Sequence, residues 1–170
     1  AGEFDFVAVF NSKQWARDYR GSKFNRGLIK KSELSHHNNA GMQGFVFNTR
    51  RDIFKDKQVR KAIGLALDFE WSNRNLFYNQ YQRCNSYFSN SELAATGLPL
   101  GDELKLLEPF RTQLPAEVFT KTWQPPSTTS PGSLRANLRQ AKQLLAEAGW
   151  SYQDGALRNA KGQPFEFELL

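Results

Sequence analysis

The sequence predicts an α/β fold in which a mixed sheet is flanked by helices. Residues 4–10 and 43–49 are apolar runs rich in Val and Phe, which is typical of buried strands. Residues 165–170 alternate apolar and acidic side chains before ending in Leu, as a strand with one solvent face does. Residues 133–148 carry apolar side chains at helical spacing. With 170 residues, 39% of them apolar, the chain can bury one core.

The first predicted strand, at 4–10, leads into a short helix. Asn11 or Ser12 can cap this helix, because either side chain can accept from a free backbone N–H, and the helix runs through Trp15 to Arg17. The polar stretch that follows contains a predicted loop at 20–27, a possible strand at 28–34 and a polar turn at 35–41.

The central predicted strand, at 43–49, is followed by a capped helix. Asp56 is a suitable N-cap for a helix that begins near Lys57. Asp68 either ends this helix or begins the next one, which carries Trp71. The apolar face of the first helix is predicted to contain Val59, Ala62, Ile63, Ala66 and Leu67.

The second half begins with irregular structure. Residues 84–101 are predicted to form a loop with a helical turn at 91–95, followed by a small helix near 102–111. Pro115 begins a short turn that extends to Phe119. Residues 123–132 form a Pro/Ser/Thr-rich internal loop.

The helix at 133–148 is the clearest element of the sequence. Ser133 is its predicted N-cap, and Gly149 takes the left-handed position at its end. We expect Trp150 and Tyr152 to pack beyond that end, and 157–164 to form a hairpin turn. The predicted buried stripe of the helix contains Leu134, Leu138, Ala141, Leu145 and Ala148.

The net charge of +6 is spread along the chain, from Lys13 to Lys161. Dispersed basic residues are more typical of a solvated surface than of a nucleic-acid footprint, although a basic nucleic-acid-binding domain remains the alternative function. The one cysteine, Cys84, excludes an internal disulfide. No segment approaches the length of an apolar membrane span.

The sequence offers no recognisable catalytic constellation. His36 and His37 are adjacent, and a small hydrolase using either as a base would need a nucleophile within hydrogen-bond reach. Glycine-rich phosphate-binding loops and the GxSxG nucleophile motif are absent. Asp102 and Glu103 have a structural explanation at a helix start. We therefore expect no catalytic residue, no metal and no cofactor.

One segment carries a family resemblance. Residues 47–68 read FNTRRDIFKDKQVRKAIGLALD, in which an FNT strand end, an F-x-D turn and a VR-x-A helix ending in Asp follow in order. Residues 2–5, GEFD, and residues 141–150, AKQLLAEAGW, add two further elements. Together they resemble the family 5 extracellular solute-binding proteins, the oligopeptide and dipeptide receptors of ABC importers. Residues 69–83, 86–99 and 106–119 are similar to the microcin C-type peptide receptor subgroup.

The resemblance implies a type II periplasmic-binding-protein-like fold. Residues 1–170 would then be a single partial lobe, the first part of the C-terminal lobe of a longer two-lobed protein. The implied cargo is an oligopeptide or peptide conjugate held between the lobes, and the implied partners are ABC permease subunits. We expect a monomeric periplasmic protein whose signal peptide lies upstream, and no nucleic-acid partner. The best-known ligand-gripping segment of the family would lie downstream of Leu170.

Two stretches are candidates for ligand contact, because such contacts come from strand ends and loops. Asn48, Thr49, Arg50 and Arg51 end the central predicted strand, where an arginine could pair with a peptide carboxylate. The alternative is a solvated turn. In the loop 85–92, rings and polar groups could contact ligand, unless the loop packs its aromatics away. The candidates in this loop are Tyr87, Phe88, Ser89 and Asn90.

Overall fold

The computed structural model describes Glu3 and Asp5–Leu169, and this part of the chain combines helices with one small sheet. It falls into two compact units, one within Ala1–Gln43 and Gln80–Pro125 (unit 1) and the other within Gly44–Asn79 and Pro126–Leu170 (unit 2). Helices and a sheet occur together, as the predicted α/β class requires, but the described sheet has only two strands.

Unit 1 contains short helices joined by long irregular segments. The first helix is capped as predicted, since the Asn11 side chain accepts from the backbone N–H of Gln14 at 3.0 Å. A second short helix lies inside the predicted loop at 20–27. The helices of this unit are α1 (Ser12–Arg17), α2 (Ser22–Asn25), α6 (Gly101–Leu107) with the 3₁₀ turn Glu108–Phe110, and α7 (Glu117–Thr120).

Unit 2 contains the two best-formed helices and the sheet. Its elements are α3 (Asp52–Lys55), α4 (Lys57–Leu65), α5 (Phe69–Asn75), α8 (Leu134–Glu147), β1 (Trp150–Gln153) and β2 (Ala156–Asn159). Asp56, Asp68 and Ser133 cap α4, α5 and α8 by accepting from a backbone N–H of the first turn. Gly149 follows α8 with a φ of 83°, as predicted.

The core of unit 2 lies where α4 packs on α8. Ala62 and Leu65 of α4 are buried against Ala141 of α8, with Leu144 and Leu145 packed at the side. Two alanines at the contact allow the helix backbones to approach closely, because neither side chain extends beyond Cβ. The predicted faces are thus only partly correct. Val59, Ala62 and Ala141 are buried as expected, whereas Ala66, Leu67 and Leu138 are exposed.

Two antiparallel turns follow α8. β1 and β2 pair antiparallel through a turn at Asp154 and Gly155, whose φ angles of 49° and 76° are both positive. Asp-Gly is a strong signal for such a two-residue turn, but this first hairpin was not predicted. The predicted hairpin turn at 157–164 is confirmed directly after it, where the backbone N–H of Phe165 donates to the Leu157 carbonyl at 2.8 Å. Residues 159–163 form a second turn, which ends in an isolated bridge between Arg158 and Pro164.

The long predicted strands are wrong within the described residues. Residues 5–10, 28–34, 43–49 and 165–169 form no strand, and residues 4 and 170 lie outside the described part of the chain. Phe10 is 93% exposed and Val46 is 96% exposed. An extended, apolar segment becomes a strand only when a neighbour completes its backbone hydrogen bonds, and the described part of the chain forms no continuous ladder along these four segments.

The alternation at the end of the chain is nevertheless real. The rings of Phe165 and Phe167 contact each other at 5.9 Å, on one face of the extended segment. Phe165 packs edge-on against Trp150 at 4.8 Å, as expected for Trp150, whereas Tyr152 is 70% exposed and does not pack. Side-chain alternation needs only an extended backbone, so it survives where the strand does not.

The Pro/Ser/Thr-rich loop at 123–132 has no helix or strand, as predicted, and its second half is tied to α5. The hydroxyls of Ser127 and Thr128 lie 2.7 Å and 2.9 Å from the two carboxylate oxygens of Glu70. Partial burial alone would raise the pKa of Glu70. The hydrogen bonds from Ser127 and Thr128 outweigh it and hold this pKa below its ordinary value of 4.5.

The helix contact gives a first test. Ala141→Leu adds a branched side chain where α8 meets α4, so we expect the free energy of unfolding to fall by about 1–3 kcal/mol. Ala146→Leu, at an exposed position of the same helix, is the matched control and should change stability little. Urea unfolding followed by circular dichroism measures both, and equal effects would contradict the buried contact.

The hydrogen-bonded carboxylate of Glu70 gives a second test. Because the folded state lowers the pKa of Glu70, its hydrogen bonds stabilise the fold fully above the ordinary value of 4.5 and lose that effect as the pH falls further. Glu70→Gln should lower the free energy of unfolding by about 1 kcal/mol at neutral pH, since the group is partly exposed, and by less near about pH 3. Glu166→Gln is the control. A pH-independent difference for Glu70→Gln would argue against the hydrogen-bonded carboxylate.

Candidate ligand-binding site

The stretch Asn48–Arg51 forms a tight turn in unit 2. The Asn48 side-chain oxygen accepts from the backbone N–H of Arg50 at 3.1 Å, and its carbonyl accepts from the N–H of Arg51 at 3.0 Å. An Asn side chain commonly closes a turn in this way. Asn48 therefore shapes the turn, which leads directly into α3.

Both guanidinium groups of this turn face solvent. Thr49, Arg50 and Arg51 are exposed, and neither arginine forms an ion pair with any described residue. Nearby, Asp52 pairs with Lys55 at 2.6 Å, and the hydrogen bond from Lys55 lowers the pKa of Asp52. The turn thus presents two positively charged guanidinium groups that can donate hydrogen bonds to an anionic group.

Buried aromatic packing holds the turn in place. Phe54, only 6% exposed, contacts the ring of Phe47 at 5.2 Å and that of Phe167 at 5.3 Å. Arg60 donates from Nη1 to the carbonyls of Phe54 at 2.6 Å and Lys55 at 2.8 Å. Arg60 thereby provides a donor for carbonyls at the end of α3, which lack partners within the helix.

The second candidate group lies in unit 1, in a loop closed by its own side chains. The Ser86 hydroxyl accepts from the backbone N–H of Phe88 at 3.1 Å, and the Ser89 hydroxyl donates to the Ser86 carbonyl at 2.8 Å. The Asn90 amide donates to the carbonyls of His36 at 2.9 Å and Asn38 at 2.8 Å. Ser89 and Asn90 therefore both form hydrogen bonds within the protein.

The aromatic side chains of this loop remain outside. Tyr87 is 76% exposed and Phe88 is 49% exposed, so the loop does not bury both rings. The structure keeps Asn48–Arg51 together in unit 2 and Tyr87–Asn90 together in unit 1, each group as one continuous turn or loop. That these residues contact ligand stays a prediction.

Two concave surfaces of unit 1 were not predicted, one of about 470 Å³ lined by residues between 19 and 32 and a second near Trp15. A cavity of about 420 Å³ is lined by residues near 9–15, 32–36 and 80–81, including Trp15 and Glu33. Trp15 donates from its indole to Glu33 at 3.1 Å. Because the residues that line this surface lie far apart in the sequence, no local motif predicts it. The one related prediction was the N-terminal cap of α1, the helix that contains Trp15.

The two histidines lie in an exposed stretch. His36 and His37 are exposed, and His36 Nδ1 accepts from the backbone N–H of Asn38 at 3.2 Å. Across Glu3 and Asp5–Leu169, no group of three or more His, Cys, Asp or Glu side chains could hold a metal ion. Cys84 is a half-buried free thiol. No helix in this part of the chain is both long and apolar enough to cross a membrane.

Comparison with known sequences assigns the family. Residues 1–170 match the family described as "Bacterial extracellular solute-binding proteins, family 5 Middle". The chain belongs to this family. The predicted resemblance is thereby confirmed, and with it the α/β class of a solute-binding lobe, although the strands described are fewer and shorter than predicted.

Several curated proteins of bacteria are similar to the chain. The chain is 45% identical over 171 residues to the uncharacterized protein YejA of Escherichia coli (strain K12), and 40% identical over 173 residues to the "Probable peptide-binding protein YejA" of Agrobacterium fabrum. Both alignments cover 100% of this chain and 28% of the relative. The "Peptidoglycan-binding protein YepA" of the same Agrobacterium strain is 37% identical over 161 residues, which is 94% of this chain and 26% of that protein. The chain thus spans little more than a quarter of these relatives.

The turn at Asn48 gives a third test. Asn48→Ala removes the acceptor for the Arg50 N–H, and we expect the free energy of unfolding to fall by about 1 kcal/mol. Asn48→Asp keeps an oxygen acceptor of the same geometry and should retain most of the stability. Thermal unfolding and amide exchange at Arg50 measure the effect. Equal behaviour of the two variants would show that the side-chain hydrogen bond does not hold the turn.

Proposed function

We propose that this chain is part of the periplasmic solute-binding component of an ABC importer. The whole protein would bind oligopeptides or peptide conjugates in a cleft between two lobes and deliver them to membrane permease subunits. Residues 1–170 would contribute a single partial lobe. The observation that carries the proposal is the match to the solute-binding family along the entire chain.

The names of two relatives support a peptide-like cargo. One is called a probable peptide-binding protein and the other a peptidoglycan-binding protein. Peptides and peptidoglycan fragments share amide bonds and free carboxylates, so one receptor type could recognise both. This chemistry fits oligopeptides and peptide conjugates alike.

The Asn48–Arg51 turn supports the proposal from the chemistry of the chain. Arg50 and Arg51 are exposed and form no ion pair with described residues. A planar guanidinium can hold a carboxylate through two parallel hydrogen bonds. The turn would therefore receive the terminal or side-chain carboxylate of the cargo.

The remaining parts of the proposal follow from the class of protein. A receptor of this class acts outside the cytoplasmic membrane, binds without chemical conversion, and can work as a monomer that docks on its permease. Basic residues are dispersed along the sequence from Lys13 to Lys161, which favours a peptide receptor over the alternative of a nucleic-acid-binding domain.

Calorimetry on the full-length protein tests the proposal. A library of short peptides, titrated at low and at physiological salt, should contain ligands whose affinity changes modestly between the two conditions. A single-stranded oligonucleotide is the comparison ligand. Absence of binding to any peptide would refute the proposed function, and tight oligonucleotide binding that weakens steeply with salt would favour the nucleic-acid alternative.

The arginine pair gives a fourth test. Replacing Arg50 and Arg51 together by Gln removes both guanidinium groups, so the Kd of a free-acid peptide should rise about tenfold. The C-terminally amidated form of the same peptide should lose little, because it offers no terminal carboxylate. Arg139→Gln, an exposed position on α8, is the matched control. Equal losses for both peptide forms would place the carboxylate elsewhere.

A further inference from the structure

In the loop from Ser86 to Ser91, the serine hydroxyls form hydrogen bonds within the loop itself. Ser86 and Ser89 form the bonds described above, and the Ser91 hydroxyl donates to the Phe88 carbonyl at 2.7 Å. Each serine thus bonds the backbone of the same loop. The polar groups that could adapt to a ligand instead hold the loop in one conformation.

A second set of bonds anchors the loop to a neighbouring segment of unit 1. The Asn90 amide donates to the carbonyls of both His36 and Asn38, and the Ser89 carbonyl accepts from the backbone N–H of Ala40 at 2.8 Å. Asn90 also has a φ of 61°, a left-handed conformation that Asn tolerates better than most residues. One side chain therefore fixes both the bend of the loop and its attachment.

The anchored loop presents an uncharged aromatic surface. Tyr87 is 76% exposed and Phe88 is 49% exposed, whereas residues 86–91, SYFSNS, include no charged group. Rings held on a fixed loop bind at low entropic cost, because few torsions remain to be ordered. Such a surface can discriminate between ligands by stacking and apolar contact, but not by ion pairing.

We propose that Tyr87 and Phe88 form an aromatic platform that selects peptide cargo with a flat aromatic side chain, and that Asn90 is its positioning residue. This inference rests on the proposed function and names the part of the cargo that unit 1 recognises. A ring of the ligand stacks on or meets the edge of Tyr87, because the negative face and positive edge of aromatic rings attract each other.

The decisive experiment compares two peptides with the full-length protein. They are identical tripeptides except for a central phenylalanine or cyclohexylalanine, which has a similar volume but no π face. Calorimetry gives the ratio of the two Kd values. Tyr87→Ser should reduce the preference for phenylalanine by about three- to tenfold, whereas Tyr87→Phe should keep it. Tyr152→Ser, on β1, is the matched control because Tyr152 is 70% exposed in unit 2.

The role of Asn90 has its own readout. Asn90→Asp keeps the shape and the left-handed tolerance of the side chain but turns an acceptor toward two carbonyl oxygens. At neutral pH the phenylalanine preference should fall as in Tyr87→Ser. It should recover as the pH falls through about 4, where the introduced carboxyl group gains a proton and donates again. Wild type at each pH is the reference.

Three results would overturn the inference. If wild type binds peptides and Tyr87→Ser leaves the ratio unchanged, the platform is wrong while the peptide receptor stands. If Tyr87→Ser lowers the unfolding temperature by several degrees without changing the ratio, Tyr87 packs against another part of the longer protein. If wild type binds no peptide at all, both the receptor and the platform are wrong.

Discussion

The close contact of α4 and α8 is the constraint on which unit 2 depends. Ala62 and Ala141 are buried at this contact, and Leu65, Leu144 and Leu145 surround them. The helices can approach only because both central residues are small. Val59, 1% exposed, is the most deeply buried larger side chain and lies on the same helix as Ala62. The position of α4 in turn sets the position of the segment that precedes it.

That segment carries the arginine turn. Arg60 projects from α4 to the carbonyls at the end of α3, and Phe54 of α3 packs between the rings of Phe47 and Phe167. The turn is thus supported from α4 by hydrogen bonds and from the last extended segment by aromatic packing. Its exposed guanidinium groups therefore lie on a segment that packing and hydrogen bonds hold in place. A preorganised anion contact requires such a fixed support.

The two candidate contact regions, each in its own unit, differ in chemistry. The turn at Arg50 and Arg51 offers positive charge, whereas the loop at Tyr87 and Phe88 offers aromatic surface without charge. The sequence singled out both regions as candidates, the first at the end of a predicted strand that does not form and the second in a loop. The sequence could not predict the hydrogen bonds of Asn90, because its partners, the carbonyls of His36 and Asn38, lie more than 50 positions away in the sequence.

The local features of this protein follow from its amino-acid sequence alone. The caps at Asn11, Asp56 and Ser133 and the glycine after α8 were predictable, because a cap is a bond between residues three or fewer positions apart. The family motif was equally local. Tertiary structure decided which apolar segments pair, since a strand requires a partner that the sequence does not name. It therefore decided that the apolar run at 43–49 stays unpaired in the described chain.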